Sequence, residues 1–141
     1  MLFVYLLEDK QPYSDQVVAI HRRMTERGDT LCASAFTLGE LLVGPRKQGD
    51  HAQVDKITRL FSSGEIEVAS FDRAAAVSFA QIRSAGGVSS ADAIHLACAV
   101  QSRVDLFLTN DLQVRKMIVP GIQFIDGLNT TALGTSKSDA Q

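Results

Sequence analysis

The chain has 141 residues, 45% of them hydrophobic, which suits one globular domain with its own core and no disulfide or metal staple. Fourteen basic residues against sixteen acidic ones leave a net charge of -2, which excludes a protein that grips nucleic acid by charge alone. A metal-dependent nuclease is not excluded, because bound cations offset its acidic centre locally.

The opening "MLFVYLLEDK" is apolar but has no basic leader and no cleavage site, and it is far shorter than the roughly 20 apolar residues of a membrane span. It is expected to be core, with no membrane role. "PYSDQVVAIHRRMTERGD" places Val17, Val18, Ile20 and Met24 on one face and ends in glycine, as an amphipathic helix does. "TLCAS" follows as a short apolar strand, and "AFTLGELLVG" as a helix expected to stop at Gly44-Pro45. "DHAQVDKITRLFSSG" repeats the amphipathic helical pattern, and "EIEVASF" alternates as a strand does. Asp72 stands where an N-cap opens the helix "RAAAVSFAQIRSAGG", and Ser89 with Asp92 opens "ADAIHLACAVQSR" in the capping pattern. "DLFLTND" and "IQFID" complete the strands, and residues 127–141 are small and polar, as in a disordered tail. Cys32 and Cys98 lie in apolar stretches without metal-binding spacing, so they are expected to be buried reduced thiols in a cytoplasmic protein.

Strands alternating with helices imply crossover connections and a parallel sheet covered on both faces, a three-layer α/β/α sandwich. Ligands of such sheets bind beyond the carboxyl ends of the strands. Three carboxylates stand alone in apolar company near that edge: Glu40, Asp92 and Asp111. Each has an ordinary use as well. Glu40 suits a solvated helix edge, and the two aspartates suit helix caps. Together and without counter-charge they repel, so the economical reading is an acidic site for hard cations, Mg²⁺ or Mn²⁺. His95, one turn after Asp92, suits a satisfied structural group better than a ligand.

"TLGELLVGP", "SSADAIHLACA" and "LFLTND", in this order, resemble the PIN domain, in particular the VapC-type ribonuclease toxins of toxin-antitoxin modules. The resemblance runs from the first residues to Asp126. It implies a metal-dependent endoribonuclease with Glu40, Asp92 and Asp111 as catalytic metal ligands, an antitoxin protein as partner and a homodimer. Thr109 and Asn110 match the polar pair that orients the last aspartate, and Arg46 and Lys47 are placed to contact RNA phosphates. The front departs from the pattern. "MLFVYLLED" resembles the family's first helix, so the first strand and its metal-binding aspartate are expected to be missing, through a recorded start that falls too late or a truncated gene. Glu8 and Asp9, two helical turns on, do not replace that aspartate, which implies an impaired or inactive nuclease. The alternative is a non-catalytic PIN module that still binds an antitoxin-like protein. A phosphorylation-receiver domain is disfavoured, since it wants an acidic pair at the first strand and a late lysine.

Overall fold

The computed structural model describes residues 3–7, 22–109 and 111–127. Five parallel strands form one sheet: β1 (Phe3–Leu7), β2 (Thr30–Ser34), β3 (Ile66–Ala69), β4 (Leu106–Thr109) and β5 (Phe124–Asp126), in the order β3-β2-β1-β4-β5. The helices are α1 (Ala35–Gln48), α2 (His51–Ser62), α3 (Arg73–Ala85), α4 (Ser90–Gln101) and the single turn α5 (Leu112–Arg115). Residues 22–27 are also helical, in agreement with the amphipathic pattern there. The α/β class, the parallel sheet and the sandwich architecture follow the reading of the sequence, and α1 packs with α2 as α3 does with α4.

The front of the chain does not. Residues 3–7 form the central strand, hydrogen-bonded to β2 on one side and β4 on the other, where the sequence had suggested a helix and a missing strand. "FVYLL" is too short for its periodicity to separate strand from helix, and its Phe, Val and Tyr favour a pleated sheet. The backbone edges of β2 and β4 that face β1 are therefore paired. Glu8 and Asp9 follow directly in sequence but lie outside the described residues, as do Asn110 and the tail from residue 128.

The second correction concerns α1, which runs through Gly44-Pro45 to Gln48. Proline lacks only the N–H that would bond back to residue 41, and here that loss falls in the last turn. Gly49 ends the helix instead, in the left-handed conformation (φ 66°), with its own N–H and that of Asp50 closing on the carbonyls of Arg46 and Pro45. No residue of α1 is buried, and Phe36, Leu41 and Val43 are exposed on it, so "FTLGELLVG" is a surface helix.

Strand β4 is buried along its whole length, and Phe107, Leu96, Leu106, Leu108 and Val104 form the heart of the core. The register aligns Leu7 with Thr109 across the β1–β4 pair and Ser34 with Ala69 across the β2–β3 pair. Because Tyr5 pairs with Cys32, Leu7 falls level with Ser34. Ser34 and Thr109 thus flank the carboxyl end of β1 at one level, roughly 10 Å apart at the usual strand spacing.

Cys32 and Cys98 are both buried free thiols. Burial, chiefly, pushes the Cys98 thiol up to about 11 and raises that of Cys32. A thiol kept protonated and away from solvent is a poor nucleophile. Native protein is expected to react slowly with a thiol-specific disulfide reagent at pH 8 and to release both thiols at once in denaturant. Fast labelling of either thiol in the native state would contradict this packing.

Candidate active site

The chain winds from β1 through β2 to β3 on one side of the sheet and returns as β4 and β5 on the other. The order therefore reverses between β1 and β4, and the crevice outside the strand ends at such a switch point is where open α/β sheets bind ligands. The candidate residues lie around this edge on three segments: the β2–α1 junction, the first half of α4 and the turn after β4.

On the β2 side, Ser34 ends its strand and caps α1, its Oγ accepting the Thr37 backbone N–H at 3.0 Å. Helix α1 then carries Glu40 two turns in. From α4 comes His95, buried, with its ring 5.3 Å from that of Phe36. Nε2 of His95 lies 2.7 Å from Oε1 of Glu40, while Nδ1 lies 3.0 Å from Ser34 Oγ and 3.2 Å from Thr37 Oγ1. The two hydroxyl oxygens are themselves 3.1 Å apart. Glu40, half exposed, thus projects toward solvent with an imidazole behind it.

Asp92 lies in the first turn of α4, and its backbone N–H reaches the Ser89 hydroxyl at 3.1 Å. Ser89 therefore is the cap, and the Asp92 carboxylate adds negative charge near the positive helix end. That charge is felt by His95. Burial lowers the His95 pKa below its usual 6.5, opposed by the hydrogen bond and charge of Glu40 and then by the charge of Asp92.

On the β4 side, Asp111 caps α5: its Oδ1 accepts the N–H groups of Gln113 at 2.8 Å and Val114 at 3.3 Å. Thr109, fully buried, accepts the Asp111 N–H on its own hydroxyl at 3.0 Å and so holds the turn in shape. Arg115 ties the same turn to β5 through Asp126 at 3.4 Å. Glu40 and His95 are thus joined directly, with Asp92 acting on His95 through space and Asp111 placed after the neighbouring strand. Among the described residues no three His, Cys, Asp or Glu side chains form a ready-made metal-binding group. Arg46 and Lys47 are exposed in the last turn of α1, about 10 Å along its axis from Glu40.

Ser34 and Thr37 carried no functional weight in the sequence. The available signal was local, a hydroxyl pair spaced three residues apart across the start of a helix. What gives the pair its importance is contact with His95, 61 and 58 residues away.

The PIN domain family model matches residues 2–118. Among solved structures, VapBC2 from Rickettsia felis, bound to a DNA fragment from its promoter, aligns with a TM-score of 0.60 at 12% identity over 89% of this chain and 98% of that one. A toxin-antitoxin complex from Klebsiella pneumoniae aligns at 0.55 and 17% identity over 86% and 95% of the two chains. FitAcB from Neisseria gonorrhoeae aligns at 0.55 and 24% identity over 77% and 87%. A search of curated protein sequences finds no match.

Two outcomes follow from this geometry. Asp111→Ala removes a cap and is expected to cost about 0.5–2 kcal/mol, whereas Asp111→Asn keeps the cap and costs little; denaturant titration of both variants checks this. His95, with its folded-state pKa lowered, binds fewer protons folded than unfolded. Its contribution to stability is full above pH 6.5 and is lost as pH falls from there toward the folded value. The metal-free parent should therefore lose melting temperature between about pH 7 and 5 more steeply than His95→Gln, and equal slopes would show that the imidazole is not buried in its neutral form.

Proposed function

Because the chain belongs to the PIN domain family, we propose that it is a divalent-metal-dependent endoribonuclease of the VapC toxin type, acting with Glu40, Asp92 and Asp111. The observation that carries this reading is the placement of acidic groups on both sides of the β1 strand end, at the switch point of the sheet. Carboxylate oxygens suit Mg²⁺ or Mn²⁺, and Mg²⁺ commonly takes only one or two protein carboxylates, filling its octahedron with water and phosphate oxygens. A preformed group of three ligands is therefore not required. Glu40, Asp92 and Asp111 would hold the ion. When bound, it would polarise the phosphodiester and offset the charge that builds on its oxygens.

The protein's own residues do the rest. Thr109 sets the turn that carries Asp111, and His95 backs Glu40 with a hydrogen-bond donor. Asn110, between Thr109 and Asp111 in sequence, is assigned to substrate, whereas Thr109, expected beside it, is buried and acts through the turn that it holds. Arg46 and Lys47 extend the contact surface along α1, where they would meet the backbone phosphates of an RNA longer than the cleaved step.

A second reading, a non-catalytic module paired with an antitoxin-like protein, is favoured by the exposed Phe36, Leu41, Val43 and Leu60 on α1 and α2. Large apolar side chains grouped on a surface commonly mark a protein interface. The partner in that reading is an antitoxin-like protein, with a homodimer as the other assembly the family implies.

Cleavage of a mixed single-stranded RNA by the purified chain tests both. On the first reading Mn²⁺ stimulates cleavage, EDTA abolishes it, and Glu40→Gln, Asp92→Asn and Asp111→Asn each reduce it by about 100-fold or more, the loss of a few kcal/mol of transition-state stabilisation. The asparagine at 111 preserves the cap, so its loss of activity is not a loss of fold. No cleavage under any metal condition, with retention of a co-expressed antitoxin-like protein, would establish the second reading instead.

A further inference from the structure

The atoms around His95 leave little choice about where its protons lie. An ionised carboxylate only accepts hydrogen bonds, so the 2.7 Å contact with Glu40 places a hydrogen on Nε2. If the hydrogen sat on Nδ1 instead, two acceptors would face each other at that distance. In the neutral ring Nδ1 then accepts, and the hydroxyls of Ser34 and Thr37 lie within donating distance of it. Those two oxygens and Nδ1 form a triangle with edges of 3.0 to 3.2 Å. Either hydroxyl is placed to donate its hydrogen to Nδ1. Ser34 is itself pinned from behind by the Thr37 N–H. The hydroxyls, the ring and the carboxylate thus form one directed chain from the end of β2 to the solvent-facing site.

We propose that His95 is a positioning residue for Glu40: Ser34 and Thr37 hold it as the Nε2–H tautomer, and it in turn fixes the rotamer in which the Glu40 carboxylate meets a bound cation. Acidic metal ligands commonly depend on such outer hydrogen bonds for their orientation. Glu40 most needs one, because it sits two turns inside a surface helix, beyond the reach of the N-terminal N–H groups that steady Asp92 and Asp111. The inference rests on the metal-dependent reading above for what Glu40 does, but not for how His95 is protonated.

The test uses the full chain. In the ¹⁵N-labelled, metal-free protein at pH 8, long-range imidazole correlations are expected to show His95 with a pyrrole-type Nε2 and a pyridine-type Nδ1. Glu40→Ala, at a half-exposed position that folding tolerates, should move His95 toward a mixture of tautomers. A parent His95 in the Nδ1–H form, or a spectrum unchanged by Glu40→Ala, overturns the proposal. Mn²⁺ affinity is then measured by the signal of free Mn²⁺ in electron paramagnetic resonance. His95→Leu, which packs without a donor, should bind about 10- to 100-fold more weakly, the range expected when an outer partner of a metal ligand is removed. His95→Gln, whose amide N–H reaches the Nε2 position, should recover most of the loss. Melting curves establish that both variants are folded, and if His95→Leu does not fold, His95→Gln against Glu40→Ala carries the comparison. Parent-like affinity in folded His95→Leu overturns the proposal. A parent that holds no Mn²⁺ counts against the metal reading alone, and the tautomer spectra then decide the positioning role.

Discussion

Placement of every candidate residue depends on the parallel pairing of β1 between β2 and β4. A strand in that position cannot be omitted without leaving the facing edges of two neighbours unpaired in the core, at about 1–3 kcal/mol for each buried group. It also sets a distance. With β1 present, the ends of β2 and β4 stand two strand spacings apart, roughly 10 Å. The central strand is therefore a spacer between the ends of its two neighbours as well as a member of the core.

Given this frame, the parts of the structure that rest on local rules were legible. The caps at Asp72 and Ser89 follow from residue type and spacing alone, and each is present with its side chain accepting a first-turn N–H. Buried β4 was visible as an uninterrupted apolar run, as a strand covered on both faces must be. The first strand was not visible, because five apolar residues hold less than two helical turns and either period accommodates them. Pro45 misled for a related reason. A proline penalises the carbonyl four residues back, and a helix with one turn left to run bears that cost where the caps of Gly49 and Asp50 close it.

The candidate site was legible as a list of acidic residues but not as an arrangement. Glu40 stands out in the sequence as a lone charge in apolar company, but its partner is 55 residues away on α4. His95 fitted the description of a satisfied buried histidine, and it is one. The same hydrogen bonds that satisfy it also bind it to the carboxylate of interest, so the structural and functional descriptions coincide in this residue. Sequence spacing cannot reveal such a contact, since the geometry comes from two crossovers of the chain that bring α1 and α4 to the same edge.

Collecting carboxylates at one edge raises the question of what keeps them from destabilising the fold before any ion arrives. Each is answered separately. Asp92 stands in the first turn of a twelve-residue helix, where unsatisfied N–H groups favour negative charge. Asp111 receives two backbone N–H groups directly, from a turn too short to offer much dipole but well placed to donate. Glu40 has neither, and takes the imidazole donor instead. Each carboxylate thus has its own local source of stabilisation. Asp111 offers a second oxygen beyond the one engaged in capping, and the ring of His95 occupies one oxygen of Glu40. An asparagine at 111 keeps the capping oxygen and loses the charge, so it separates the cap from the charge at a single residue.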